Sequence, residues 1–175
     1  SYKMYRTPQH IAELAIKFIT SDPYCRKEFE ENGYKSNIQY PNTLPYAAEI
    51  LRSSRPVDDL VARIPQFLSS HYTEDDILII SSNQLIQEIE EQLTKQNISH
   101  YIGEPDQDGF IALVNFHNAK GLEREIVFVV GIEDLNERSG PDGLFLEEGK
   151  KLRMESFSRR MIYVAMTRTI EQLII

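Results

Sequence analysis

Two short apolar runs, Ile111–Phe116 and Ile126–Val130, bracket a polar turn, His117–Glu123, in the stretch VNFHNAKGLEREIVFVVGI. Runs this short, rich in β-branched and aromatic residues and bounded by turn chemistry, read as buried strands of a parallel sheet. That constrains the chain to an α/β class in which helices cover both faces of the sheet. Ligands of such open sheets gather beyond the carboxyl ends of the strands, so a turn carrying His117, Asn118, Lys120 and Glu123 after the first run is where chemistry is expected.

The remaining segments supply helices and further strands. Ile11, Leu14, Ala15, Phe18 and Ile19 recur at helical spacing, with Thr7 as N-cap and Pro8 at the first helical position, and predict a helix ending near Asp22-Pro23. Residues 24–45 read as a loop with an edge strand at Ser36–Tyr40. A second helix is predicted over residues 56–71, kinked at Pro65. Asp76–Ser81, Asn83–Gln96 and Ile98–Ile102 form a strand-helix-strand unit with short connections, which predicts right-handed crossovers. After Ile132 a polar loop, solvated and mobile by composition, runs to about Arg153. A last helix follows from Ser158 to about Thr169, and Leu173–Ile175 begins a final strand.

One domain of 175 residues is long enough to bury a real core, and no apolar run approaches the ~20 residues of a membrane span. The single cysteine, Cys25, excludes an internal disulfide and fits a cytoplasmic protein. A net charge of -8 argues against a free-standing electrostatic nucleic-acid binder; contact with DNA or RNA would run through a local groove shared with another domain. The abrupt start at Ser1 suggests a piece of a longer protein.

Three constellations can carry chemistry. Tyr5-Arg6 precedes the first helix; an aromatic ring can stack on a base and an arginine can pair with phosphate, although an ordinary surface pair has the same appearance. His117, Lys120, Gly121 and Glu123, with Asn115 and Asn118, suit phosphate, sugar and ribose hydroxyls, or equally a solvated turn. Arg159, Arg160 and Arg168 lie on one predicted helix. Met161, Ala165 and Arg168 share a face there, so an arginine ends an apolar stripe and needs an anionic partner, either phosphate or a structural carboxylate. There is no GxxxxGK[ST] loop, so the chain cannot cradle a nucleoside triphosphate and its magnesium alone. No nucleophilic set suggests itself. Histidines 10, 71, 100 and 117 lack metal-ligand spacing and read as surface residues.

In order, these constellations resemble the second motor domain of superfamily 1 helicases of the UvrD/Rep/PcrA type. MYRTPQHIAEL is similar to motif IV, ILIISSNQLIQEIEEQL to the segment IVa, HNAKGLE with its following strand to motif V, and RRMIYVAMTR to motif VI. The resemblance covers nearly the whole chain. It implies a RecA-like parallel sheet flanked by helices, without its own phosphate loop, and ATP with Mg2+ shared with an N-terminal RecA-like domain. It further implies that Tyr5 stacks on adenine, Arg6 and Arg168 reach the γ-phosphate as paired arginine fingers, Glu123 bonds the ribose and Gly121 permits close backbone approach. Asn83, Asn115 and His117 would face single-stranded DNA, with Lys120 supporting the turn.

The chain departs from the family pattern at Asn115 (usually threonine), Arg124 (usually aromatic), Phe157-Ser158 (commonly acidic) and Thr169 (usually alanine). These departures leave the ATP-contacting positions intact and put DNA contacts in doubt. Only 110 residues lie between Arg6 and His117, too few for the family's large accessory domain, so the layout is closer to helicase IV-like proteins. The expectation is an ATP-dependent 3'-5' helicase or translocase domain, inactive as an isolated fragment. Two alternatives stay open: a helicase-like ATPase module acting on a protein partner such as RNA polymerase, and a generic α/β domain whose arginines make structural ion pairs.

Overall fold

The computed structural model describes residues 7–31, 48–137 and 158–175. Its centre is a six-stranded sheet in which every pairing is parallel. The strands are β1 (Ala48–Glu49), β2 (Ile77–Ser81), β3 (His100–Ile102), β4 (Ile111–Asn115), β5 (Arg124–Val130) and β6 (Thr169–Ile174), in the order β1-β6-β5-β2-β4-β3. β2 is buried along its whole length, and β4 and β5 nearly so, as the continuous apolar runs require of strands covered on both faces.

Alternate residues feed two cores. Ile77, Ile79, Ile111, Leu113, Ile126 and Phe128 point to the face covered by α3 (Pro56–Leu68) and α4 (Asn83–Lys95). Leu78, Ile80, Val114, Val127 and Val129 point to the other face. There they meet Ile11 and Ala15 of α1 (Gln9–Thr20), Leu135 of α5 (Ile132–Glu137), and Ile162, Ala165 and Met166 of α6, described over 158–166. This three-layer α/β fold matches the expectation.

Several local expectations are corrected. Residues 24–31 are not loop: α2 (Pro23–Glu31) starts where the Asp22 carboxylate accepts from the Cys25 N–H at 2.8 Å, and it buries Cys25 and Phe29 against Ile19. The predicted strand Ser36–Tyr40 lies outside the described residues. Pro8 rather than Thr7 is the N-cap of α1, with no side-chain cap. α3 ends at Leu68, three residues short of the expectation, with Pro65 inside it. The chain after Ile132 is helix to Glu137, because Leu135 packs into the second core. α6 stops at residue 166, and β6 starts at Thr169 rather than Leu173. His10, His71 and His117 are exposed as expected, but the His100 side chain is only 13% exposed, 4.0 Å from Glu90.

Candidate functional site

The connection from β4 to β5 determines where the polar residues go. β4 and β5 are parallel with β2 between them, so residues 116–123 must return from the carboxyl edge of the sheet to its amino edge. Asn115 is level with Ser81, and Ser81 with Val130, whereas the connection delivers the chain to Arg124. Six residues of strand separate those levels, about 20 Å at 3.3 Å per residue. The turn is therefore a strap across one face of the sheet, and its two ends serve opposite edges. Ala119 and Leu122 are buried in the second core and fasten it, while His117, Asn118, Lys120, Gly121 and Glu123 between and beside them are exposed. This corrects two expectations: the segment is not a solvated turn, and only its first half lies beyond the carboxyl ends of the strands.

At the carboxyl edge, Asn83 and Asn115 meet. The Asn115 Nδ2 donates to Asn83 Oδ1 at 3.1 Å, and the Asn115 Oδ1 accepts from the Asn118 N–H at 2.9 Å, capping the 3-10 turn Phe116–Asn118. His117 stands on that turn. Asn83 opens α4, one residue beyond the end of β2 and its flanking Ser82, so the two amides are presented by neighbouring strands of a rigid sheet.

At the amino edge, three distant parts of the sequence converge. The Thr7 hydroxyl, buried, donates to the Thr167 carbonyl at 2.9 Å, which ties the residue following Tyr5-Arg6 to the end of α6. The Arg124 N–H donates to the Arg168 carbonyl at 3.2 Å, and Arg124 pairs with Thr169 in the sheet. From Arg124–Ile126 to Thr169–Gln172 the register slips, β6 containing one more residue than β5, a bulge of the kind that re-aims side chains at the end of a strand. The half-buried Arg168 guanidinium donates to the Val164 carbonyl at 3.0 Å and to the Thr167 hydroxyl at 3.3 Å. Burial pushes its pKa below the usual arginine value, and the nearby Glu123 carboxylate opposes that shift. Gly121 has φ 87°, a conformation that strains any side chain, and no atom lies within 4 Å of where a Cβ would stand, so the backbone there is open to approach. Tyr5 and Arg6 lie outside the described residues.

The other two arginines of the last helix go elsewhere. Arg159 donates to the Ser21 hydroxyl at 2.7 Å and lies 5.3 Å from the centre of the Phe18 ring. Arg160 pairs with Glu28 and lies over Tyr24. Both brace α6 against α1 and α2, so the structural reading applies to them and Arg168 stands apart. Residues that sequence reasoning did not single out also shape the site: Thr167, as the anchor of Thr7, and the trio Ser82, Gly131 and Asp134 behind the asparagine pair. A glycine ending a buried strand was the available signal for the trio.

Among the described residues, no group of three His, Cys, Asp or Glu is disposed to hold a metal ion, and no helix is long and apolar enough to cross a membrane.

Residues 103–175 match the family model of the UvrD-like helicase C-terminal domain. DNA helicase II of Escherichia coli K12 is 41% identical over 63 residues, covering 36% of this chain and 8% of that protein. The ATP-dependent DNA helicase PcrA of Staphylococcus aureus Mu50 is 27% identical over 159 residues, 91% of this chain and 19% of the relative. The chain thus spans a small fraction of the helicases it matches. A solved structure, the C-terminal domain of a possible DNA helicase from Lactobacillus plantarum WCFS1, shares the fold with a TM-score of 0.58 at 17% identity, over 97% of this chain and 84% of that one. Over residues 103–175 the chain is thus similar in sequence to the UvrD-like helicase C-terminal domain, and over nearly its whole length it shares the fold of a solved helicase C-terminal domain.

Proposed function

We propose that this domain is the C-terminal motor half of an ATP-dependent 3'-5' DNA helicase or translocase in the cytoplasm. ATP would lie between it and an N-terminal RecA-like domain carrying the phosphate loop and the Mg2+. The observation that carries this reading is the convergence of Thr7, Glu123 and Arg168 at the amino edge of β5 and β6. A half-buried guanidinium bonded to a carbonyl and a hydroxyl, with the Glu123 carboxylate nearby, is placed to meet an anion that arrives from outside, and a γ-phosphate is suited to its planar donors. Arg168, and Arg6 immediately before the anchored Thr7, would act as arginine fingers. Tyr5 would stack on adenine, Glu123 would accept from the ribose, and the open backbone at Gly121 would let the nucleotide approach.

At the opposite edge Asn83, Asn115 and His117 would contact single-stranded DNA. With a net charge of -8 the contact must be local rather than a diffuse electrostatic one. Fingers supplied by one domain to a phosphate held by another make hydrolysis depend on closure of the cleft, and closure moves the DNA-facing edge with it. ATP turnover then becomes a step along the strand.

The test is DNA-stimulated ATP hydrolysis by the full-length protein. Arg168→Ala and Arg6→Ala should each lower turnover by about 10³-fold with the circular dichroism spectrum unchanged, as expected for a lost finger. Turnover by a folded Arg168→Ala variant within threefold of the parent would sink the assignment.

A further inference from the structure

Behind the two asparagines the structure holds a part-buried contact that connects three elements. Ser82 is the N-cap residue of α4, yet its hydroxyl does not cap the helix. It donates instead to the Asp134 carboxylate at 2.5 Å, across to α5, while the Ser82 N–H donates to the Val130 carbonyl at 3.2 Å. A serine at an N-cap ordinarily accepts from the first-turn N–H groups of its own helix, so this hydroxyl has been diverted to another task. The approach is so close that a Cβ on Gly131 would stand 2.4 Å from the Ser82 Oγ, and Gly131 has φ 78°. Ser82 is 3% exposed and Asp134 half-buried.

The next residue is Asn83, whose Oδ1 accepts from Asn115. The Asn115 Oδ1 is in turn committed to the Asn118 N–H, which sets the direction of both amides: Asn83 uses its oxygen inward and turns its N–H donors outward. An exposed asparagine ordinarily samples several rotamers. Here the backbone that carries it is held on two sides by Val130 and Asp134, and the side chain on a third by Asn115.

We infer that Ser82, Gly131 and Asp134 form a clasp that positions the Asn83–Asn115 pair for single-stranded nucleic acid, so that they are positioning residues for binding at the carboxyl edge. The inference rests on the reading of that edge given above. Gly131 admits the serine, Asp134 takes its hydroxyl, and the clasp acts only through the asparagines.

A double-mutant cycle on the full-length protein tests this, with a fluorescein-labelled oligo-dT as the probe, binding followed by anisotropy, and thermal unfolding followed in parallel. Ser82→Ala and Asp134→Ala should each weaken oligo-dT binding about fivefold, and Asp134→Asn, whose amide oxygen can still accept from Ser82, should restore it to within about twofold. Asn115→Ala should weaken binding at least as much. Adding Ser82→Ala to Asn115→Ala should cost less than about twofold more, because the clasp has nothing left to position. Should Ser82→Ala fail to show a cooperative unfolding transition, Asp134→Ala at the half-buried end of the bond carries the same cycle. If Asn115→Ala weakens binding but the clasp variants do not, or if their losses multiply with it, the clasp is overturned alone. If Asn115→Ala binds like the parent, the reading of the carboxyl edge falls and the clasp with it.

Discussion

Arg168 holds its charge in a half-buried position, where its hydrogen-bond acceptors are a carbonyl and a hydroxyl and the Glu123 carboxylate nearby offsets only part of the cost of burial. Such an arrangement works against stability, as the downward pKa shift from burial indicates. Arg168→Met should therefore melt at the same temperature as the parent or about 1–3 °C above it while abolishing turnover, the separation expected where a site is maintained at the expense of stability. A fall of more than about 5 °C in a thermal melt would make the guanidinium a brace like Arg159 and Arg160. Gly131→Ala should behave in the opposite manner. Its positive φ and the Ser82 hydroxyl in the way of a Cβ predict a loss of about 1–3 kcal/mol in denaturant unfolding. At this scale the sequence was partly legible. RRMIYVAMTR has an arginine at each end, and periodicity alone could not say that the first two turn to α1 and α2 while the third turns to the strap, since Ser21 and Glu28 are more than a hundred residues away. The Ser82–Asp134 bond joins residues 52 apart and has no local signature.

Among the elements, the strands were the most legible and the short amphipathic helices the least. β2, β4 and β5 are buried on both faces over most of their length and therefore read as nearly continuous apolar runs. α2 and α5 show little helical periodicity: among the described residues they bury Cys25 and Phe29 in the first and Leu135 in the second, too few to reveal a period among charged neighbours. The strap was misread for the same reason. Its polar residues dominate the sequence, and the two that hold it down, Ala119 and Leu122, are separated by Lys120 and Gly121. Leu122→Ala should destabilise the domain by about 2–4 kcal/mol, a buried leucine's usual cost, whereas Lys120→Ala on the exposed side should stay within about 0.5 kcal/mol. Equal and small losses from both in a urea titration would mean that the strap is not packed.

For the molecule as a whole, the sheet also brings carboxylates together at its amino edge. Glu125 begins to be buried there beside Asp76 and Glu171, and burial first, then those carboxylates, raises its pKa above the ordinary 4.5. A carboxyl with a raised folded-state pKa binds its proton more tightly when folded, so its contribution is most favourable below 4.5 and is lost as pH rises through the window above it. Glu125→Gln should accordingly raise the melting temperature relative to the parent at about pH 7 and leave it unchanged at about pH 3.5; a gain equal at both would refute the cause. The whole-molecule fold was the best-read level, because parallel strands need covering helices and short connections leave few topologies. What no local pattern could convey was that the β4–β5 connection lacks an α-helix and runs the length of the sheet. Nine Cα steps from Asn115 to Arg124 reach at most about 30 Å, against roughly 22 Å to be crossed between strands two places apart. With the 3-10 turn and the Gly121 turn taking up that slack, the segment has no spare length. An added residue must bulge at one edge and a deleted one must pull on the other, so variation here is confined to exchanging side chains, and the spacing from Asn115 to Glu123 acts as a ruler.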